Sequence, residues 1–282
     1  MRTLLFLVCF LATATLASAQ SMPTVKAMSY NIRYNNPNDG EDAWPQRKDV
    51  LIGQIQFYQP DVIGMQEVLQ QQLDTLDARL PQYSWVGVGR DDGKAAGEFS
   101  PVFYRSDRFE ALQSGTFWLS PTPDTVSKGW DAALPRICTY VQLRDMTSQE
   151  EFWFFNTHFD HVGVQARAKS IEVIKKQIAA LTASDAPVLI SGDFNVQPQD
   201  APMRIMRNDY ADAWRSSTTP PYGPEGTYNA FRADHPLDRR IDYLYYSPGD
   251  WRVLRIAHLS MLRKGHYPSD HLPVFGEFYR TN

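Results

Sequence analysis

Cysteine is nearly absent: the 282 residues hold two, Cys9 and Cys138. Only Cys138 survives removal of the first nineteen residues, so a processed chain can form no intramolecular disulfide. Stability must come from a hydrophobic core, and a chain of this length with 43% apolar residues can build a large one. No Cys or His cluster has zinc spacing. Excess positive charge is missing too. With 28 Lys and Arg against 32 Asp and Glu, the net charge is −4. No broad basic surface is implied, which argues against tight nucleic-acid binding while leaving room for a nuclease that touches DNA briefly. Internal repeats, low-complexity tracts and a domain linker are also absent, so residues 20–282 read as one domain.

What is present begins with "MRTLLFLVCFLATATLASAQ": one positive charge, an apolar run and the small-x-small ending Ala17-Ser18-Ala19. Residues 1–19 read as a secretory signal peptide cut before Gln20, and the run is short for a spanning helix. Phe-Leu-Val ahead of Cys9 does not suit a lipoprotein signal. The expectation is an exported product, periplasmic or secreted, with no transmembrane segment in the mature chain.

Short apolar runs alternate with amphipathic ones. Strands are expected over 25–32, 62–68, 100–105, 152–159, 187–194, 241–247 and 274–279. Helices are expected over 46–59, over the segment carrying Leu69, Leu73, Leu76 and Leu80 up to Pro81, and over 166–182. Two stretches, 114–136 and 216–240, are rich in Pro, Gly, Trp or Tyr and read as long loops, the usual material of binding walls.

Many of these strands finish or begin with polar groups. Asn31 ends the first, Gln66-Glu67 the second, Asn156-Thr157-His158 the strand after 150, and Asp193 with Asn195 the strand "LISGDFN". Strand alternation would put Asp193 and Asn195 on one face and Phe194 on the other. Asp242 opens a later strand, and Ser269-Asp270-His271 precedes the last. Such ends can converge on one rim of a layered protein. Glu67, Asp270 and Asn31 offer only hard oxygen ligands, suited to Mg²⁺ or Mn²⁺. His158 and His271 titrate near neutrality, Asp193 could orient a water, and Asn195 could donate to an oxyanion. One hard cation, two histidines and a spare carboxylate suit attack of water on phosphorus.

"SYNIR", "PDVIGMQEV", "NTHFDH", "SGDFN", "RIDYLYY" and "SDHLPV", in this order, resemble the endonuclease/exonuclease/phosphatase superfamily, of which deoxyribonuclease I is a member. The resemblance implies an α/β (α+β) fold, a four-layer α/β/β/α sandwich of two packed mixed sheets flanked by helices. It implies that Asn31, Glu67 and Asp270 hold Mg²⁺ or Mn²⁺. Asp193 would orient or activate the water, Asn195 would contact the phosphate, and His271, held by Asp242, and His158 would bind it from two sides. Glu98 falls where relatives place an acid that pairs with the His158 equivalent, and Arg136 where they place a phosphate-binding arginine.

The bland readings are specific. Asp193 and Asn195 alone would suit a turn, and Asp242 beside Arg240 could be a strand-edge ion pair. His161 stays open between a third functional histidine and a loop residue, and Asp160 reads as a loop brace. Trp44, Trp118 and Trp130 read as packing, and His235, His258 and His266 as surface residues. The rim loop "GRDDGKAAGEF" is acidic and would repel a duplex backbone. The expected activity is therefore metal-dependent hydrolysis of a phosphodiester or phosphomonoester in a small molecule or lipid head group. An exported nuclease is the alternative, and a non-catalytic binding protein on the same scaffold is the third reading. No stable protein partner is implied.

Overall fold

The computed structural model describes residues 24–281, so the signal-peptide reading of 1–19 lies outside the described residues. In chain order the elements are β1 (Thr24–Asn31), a 3-10 turn (Pro37–Asp42), α1 (Trp44–Tyr58), β2 (Val62–Gln66), α2 (Gln70–Arg79), β3 (Tyr83–Val86) and β4 (Val102–Arg105). Then come β5 (Phe109–Trp118), β6 (Ile137–Asp145), β7 (Glu151–His158), α3 (Val164–Leu181), β8 (Val188–Asp193) and α4 (Ala201–Met206). The chain ends with β9 (Ala211–Asp212), α5 (Ala213–Ser216), β10 (Asp242–Tyr246), β11 (Trp251–His258) and β12 (Val274–Arg280).

The strands form two six-stranded sheets, β11-β12-β1-β2-β4-β3 and β5-β6-β7-β8-β10-β9. Each is mixed and built around one parallel pair joined through a helix, β1–α1–β2 in the first sheet and β7–α3–β8 in the second. Alternation along each strand then generates the layers. On β1, Val25 and Ala27 face the other sheet, whereas Met28 and Tyr30 face α1. On β8, Leu189 points inward, and Val188 and Ile190 pack under α3. One core fills the space between the sheets, and a second and third lie under the helices of each sheet. This is the four-layer sandwich the resemblance implies.

Toward one end the inter-sheet core turns polar. Asn156 on β7 donates to the carbonyls of Met65 (2.7 Å) and Pro101 (3.0 Å) in the other sheet. Its own Oδ1 accepts from Gln66 Nε2 at 2.6 Å and Ser191 Oγ at 3.0 Å. The sheets approach closely here because residue 64 is glycine: a Cβ would lie 2.0 Å from Ser191 Oγ.

Several elements differ from the sequence reading. β3, β5, β6 and β11 were not among the expected strands, and β5 takes the first residues of the stretch 114–136. β8 ends at Asp193, and Asn195 sits beyond it with φ of 50°, so strand alternation does not carry through to Asn195. His258 is not a surface residue. It is fully buried at the end of β11, its ring stacked on Trp214 at 3.9 Å and its Nδ1–H donating to the Pro224 carbonyl at 2.8 Å.

Burial lowers the His258 pKa to about 3. The imidazole therefore enters the fold neutral and favours it fully above the unfolded value near 6.5. As pH falls from there toward 3, the unfolded chain takes up a proton the folded chain refuses, at about 1.4 kcal/mol per pH unit. His258→Phe keeps an aromatic ring on Trp214 and removes the proton site. Urea unfolding should show the stability of wild type relative to this variant falling by about 2.5 kcal/mol between pH 7 and 4.5; an unchanged difference would refute the assignment.

Candidate active site

The inward rows of the parallel pairs and of β10 end at one rim, and so do the candidate residues. Register places Asn31 beside Gln66, His158 beside Asp193, and Asp193 beside Asp242. Asn31 bridges the two sheets, its Nδ2 donating to Glu67 Oε1 and to Asp193 Oδ2, both at 3.0 Å. Ser269 Oγ donates to the Asn31 carbonyl at 2.7 Å, which docks the segment bearing Asp270 and His271. Buried Arg47 on α1 ties the same region from below, donating to the carbonyls of Ile32, Arg33 and Pro268.

Glu67, Arg33 and Asn195 have left-handed backbones, φ of 61°, 55° and 50°, which cost non-glycine residues about 1 kcal/mol or more each. The surroundings hold two of them in place. Glu67 Oε2 accepts from Tyr34 N–H at 3.2 Å, and Asn195 N–H donates to Asp193 Oδ1 at 2.9 Å. Strain of this kind concentrates at functional sites.

Two histidines flank Asp193, with opposite electrostatics. His271 Nδ1–H donates to Asp242 Oδ2 at 2.8 Å, and its Nε2 lies 3.8 Å from Asp193 Oδ2. Burial alone would depress this imidazole, but Asp242 and then Asp193 outweigh it and hold it well above its ordinary value. His158 Nε2 lies 3.5 Å from Asp193 Oδ2 and accepts from Asn195 Nδ2 at 3.2 Å. Burial, then Arg136 and Arg90, push His158 well below its ordinary value. Asp193 itself rises to about 7 through burial and the neighbouring Asp242, against the opposing pull of His271. One imidazole is thus an acid, the other a neutral ring, and between them lies a carboxyl poised near neutrality.

The pairings refine the sequence reading. Arg240 pairs with Asp212 at 2.6 Å, not with Asp242, whose Oδ2 also accepts from Thr227 Oγ1 at 2.6 Å. Glu98 lies 3.9 Å from His158 Nδ1, too far for a hydrogen bond, and is held bidentately by Arg90 at 2.7 and 3.0 Å. The rim loop is accordingly less negative than its sequence suggests. Asp160 braces its loop as expected, accepting from the N–H groups of Val162 and Gly163. Arg136 spans Asp160 and His161, so His161 belongs to the site wall.

A cleft of about 500 Å³ opens over this rim, lined by all the candidates named above except buried Asn31 and Asp242. Arg33, Tyr34, Leu134, Tyr228, Arg239 and Ile241 complete its walls. None of these six, nor Thr227, is among the site residues named from the sequence. Thr227, Tyr228 and Arg239 come from the long stretch 216–240, where no periodicity marks them.

The donor set fits a hard divalent cation. Burial raises Asp270 to about 6; His271 opposes that rise and Glu67 adds to it. Arg33 stands 3.8 Å from Glu67 and 4.0 Å from Asp270, and its guanidinium is shared with Asp39. Two carboxylates so placed call for more positive charge than one shared guanidinium supplies. Asp193, Asp242 and His271 also bring ligand atoms within 4.8 Å of one another. That set includes an imidazole whose Nδ1 is committed to Asp242, whereas Glu67, Asp270 and Asn31 offer oxygen alone, the chemistry a hard cation takes.

A four-layer sandwich whose sheet ends meet in paired imidazoles, carboxylates and an arginine defines a hydrolase of phosphate esters. Residues 28–271 match the model of the Endonuclease/Exonuclease/phosphatase family, and the chain belongs to that family, whose enzymes depend on divalent metals. A family member of solved structure from Bacteroides thetaiotaomicron is 35% identical with a TM-score of 0.89, covering 93% of this chain and 100% of that one. A mannosyl-6-phosphatase of Bacteroides thetaiotaomicron VPI-5482 is 36% identical with a TM-score of 0.85, covering 92% of this chain and 100% of that one. An uncharacterised protein of Acanthamoeba polyphaga mimivirus is 30% identical over 159 residues, 54% of this chain and 59% of that protein.

In the metal-free protein at pH 7, His271 should carry both ring protons and His158 one, as read by imidazole ¹H–¹⁵N spectra. Asp242→Asn should return His271 to the neutral form. A neutral His271 in wild type at pH 7 would contradict the charge distribution described.

Proposed function

We propose that the protein is an exported, Mg²⁺- or Mn²⁺-dependent phosphomonoesterase that acts on a sugar phosphate. The observation that carries this reading is the cleft. It has the volume of a small-molecule site, and three guanidiniums, Arg33, Arg136 and Arg239, are among its lining. The mannosyl-6-phosphatase relative, aligned over its full length, supports the same substrate class.

Glu67, Asp270 and Asn31 would hold the cation, which when bound polarises a phosphoryl oxygen and offsets charge built up in the reaction. Asp193 orients the attacking water and takes its proton, the role its raised pKa prepares. His271, kept protonated by Asp242, donates to a phosphoryl oxygen as negative charge accumulates there, and Asn195, whose Nδ2 donates to His158 Nε2 and to the Phe159 carbonyl, fixes the adjoining wall. His158 binds from the other side, and Arg136 neutralises the outer oxygens. Glu98 lines the cleft and holds buried Arg90 behind it.

The test uses the purified mature chain with Mg²⁺ or Mn²⁺, with and without EDTA. Substrates are hexose 6-phosphates, inositol phosphates, sphingomyelin, a generic phosphodiester, plasmid DNA and RNA. Hexose phosphates should turn over fastest, EDTA should abolish turnover, and Asp193→Ala should lower kcat/KM by about 10³. Cutting of DNA or RNA well above the small esters would establish the nuclease reading instead. Export is checked separately: protein recovered outside the cytoplasm should begin at Gln20 by N-terminal sequencing.

A further inference from the structure

His161 sits on the outer wall of the cleft, next to but outside the group that surrounds Asp193. Its Nδ1 lies 2.9 Å from Arg136 Nη2. A guanidinium has no acceptor, so Arg136 must donate and His161 Nδ1 must accept. That fixes the neutral tautomer with its proton on Nε2, and the solvent-exposed ring therefore presents an N–H donor.

Arg136 is itself fixed. Its Nε approaches Asp160 Oδ2 at 3.4 Å, and that carboxylate is pinned by the N–H groups of Leu134, Val162 and Gly163. The remaining nitrogen, Nη1, is buried and has no partner. A buried charged donor left unpaired is costly unless a ligand completes it. The wall thus offers one fixed exposed donor, His161 Nε2–H, with the buried and incompletely paired charge of Arg136 behind it, in addition to the inner donor His271.

We infer that His161, acting with Arg136, selects phosphomonoesters over phosphodiesters by donating to the third non-bridging oxygen of the terminal phosphoryl group. This rests on the phosphatase reading above and names what would make the site a monoesterase. A monoester presents three non-bridging oxygens and close to two negative charges at neutral pH. A diester presents two, and carries a carbon substituent where the third would be. With a diester the outer donor would face a poor acceptor and the Arg136 charge behind it would meet one negative charge fewer, and an unpaired donor is a strong basis for rejection. Leu134, beside Arg136 on the same wall, offers the extra substituent no polar compensation.

The test compares wild type, His161→Ala and His161→Gln, full mature chains loaded with Mg²⁺. Because His161 is exposed, the substitutions leave the core intact, which thermal unfolding verifies. Kinetics on p-nitrophenyl phosphate and bis-p-nitrophenyl phosphate give the selectivity ratio of kcat/KM. His161→Ala should lower that ratio about tenfold, and His161→Gln, which keeps an N–H donor, should recover part of it. Calorimetry with inorganic phosphate and dimethyl phosphate reads the same contact without turnover. His161→Ala should weaken inorganic phosphate about tenfold relative to dimethyl phosphate. An unchanged ratio, or equal losses for both ligands, overturns the inference. If wild type hydrolyses no monoester, the phosphatase reading fails. The calorimetric arm then still decides: a His161-dependent preference for inorganic phosphate retains the contact, and no preference overturns it.

Discussion

The side-chain amide of Asn156 is the joint on which the geometry depends. Four hydrogen bonds converge on it, from both sheets, in a layer where the neighbouring rows are otherwise apolar. The site is split between those sheets: Asn31 and Glu67 come from one, His158, Asp193 and Asp242 from the other. Two apolar sheet faces can slide by small amounts with little change in buried area, because hydrophobic contact is non-directional. Hydrogen bonds cannot slide. Loss of the amide would leave the Met65 carbonyl unpaired, at about 1–3 kcal/mol, and the Pro101 carbonyl with the Met65 N–H as its remaining partner. Gly64 is the complementary requirement, since any side chain there would force the sheets apart.

The second constraint is electrostatic. Asp193, Asp242 and Asp270 are all buried within one small volume, with only part of their charge offset by protein cations. The arrangement is tolerable because protons are distributed unequally: Asp242 keeps one on His271, while Asp193 and Asp270 are drawn toward neutrality. A site that stores its charge this way is ready to rearrange when a phosphate and a cation arrive. The stability lost in building it is made up by three aromatic-rich cores that take no part in the chemistry.

The candidate residues were legible because they sit at the ends of hydrophobic strands, where an acid or amide breaks an apolar run. Asn31, Glu67, His158, Asp193, Asp242 and His271 all have that signature. What was not legible depends on tertiary contact. Thr227 and Tyr228 meet the site because the segment after α5 folds back over β10 and β11, a path no local pattern encodes. β5 carries Glu-Ala-Leu-Gln-Ser-Gly in its middle and lies at a sheet edge with much of it exposed, so neither propensity nor alternation announces a strand. β11 is interrupted by a shift of register around Leu254, which breaks its period of two. His258 became core because Trp214, far away in sequence, lies flat against it. Strand alternation also misjudged Asn195, which turns back only because its backbone leaves the sheet at Asp193.

The order of strands in the first sheet has a consequence for when the molecule can act. β1 lies between β2 and β12, the first strand of the chain next to its last. Asp270 and His271 belong to the short segment that leads into β12, and Ser269 reaches Asn31 across 238 residues of sequence. No nascent or partly folded chain can assemble the reactive centre, because its oldest and newest segments must meet to make it. Hydrolytic power is therefore an all-or-none property of the finished molecule. A chain still being synthesised is chemically silent toward the phosphate esters around it.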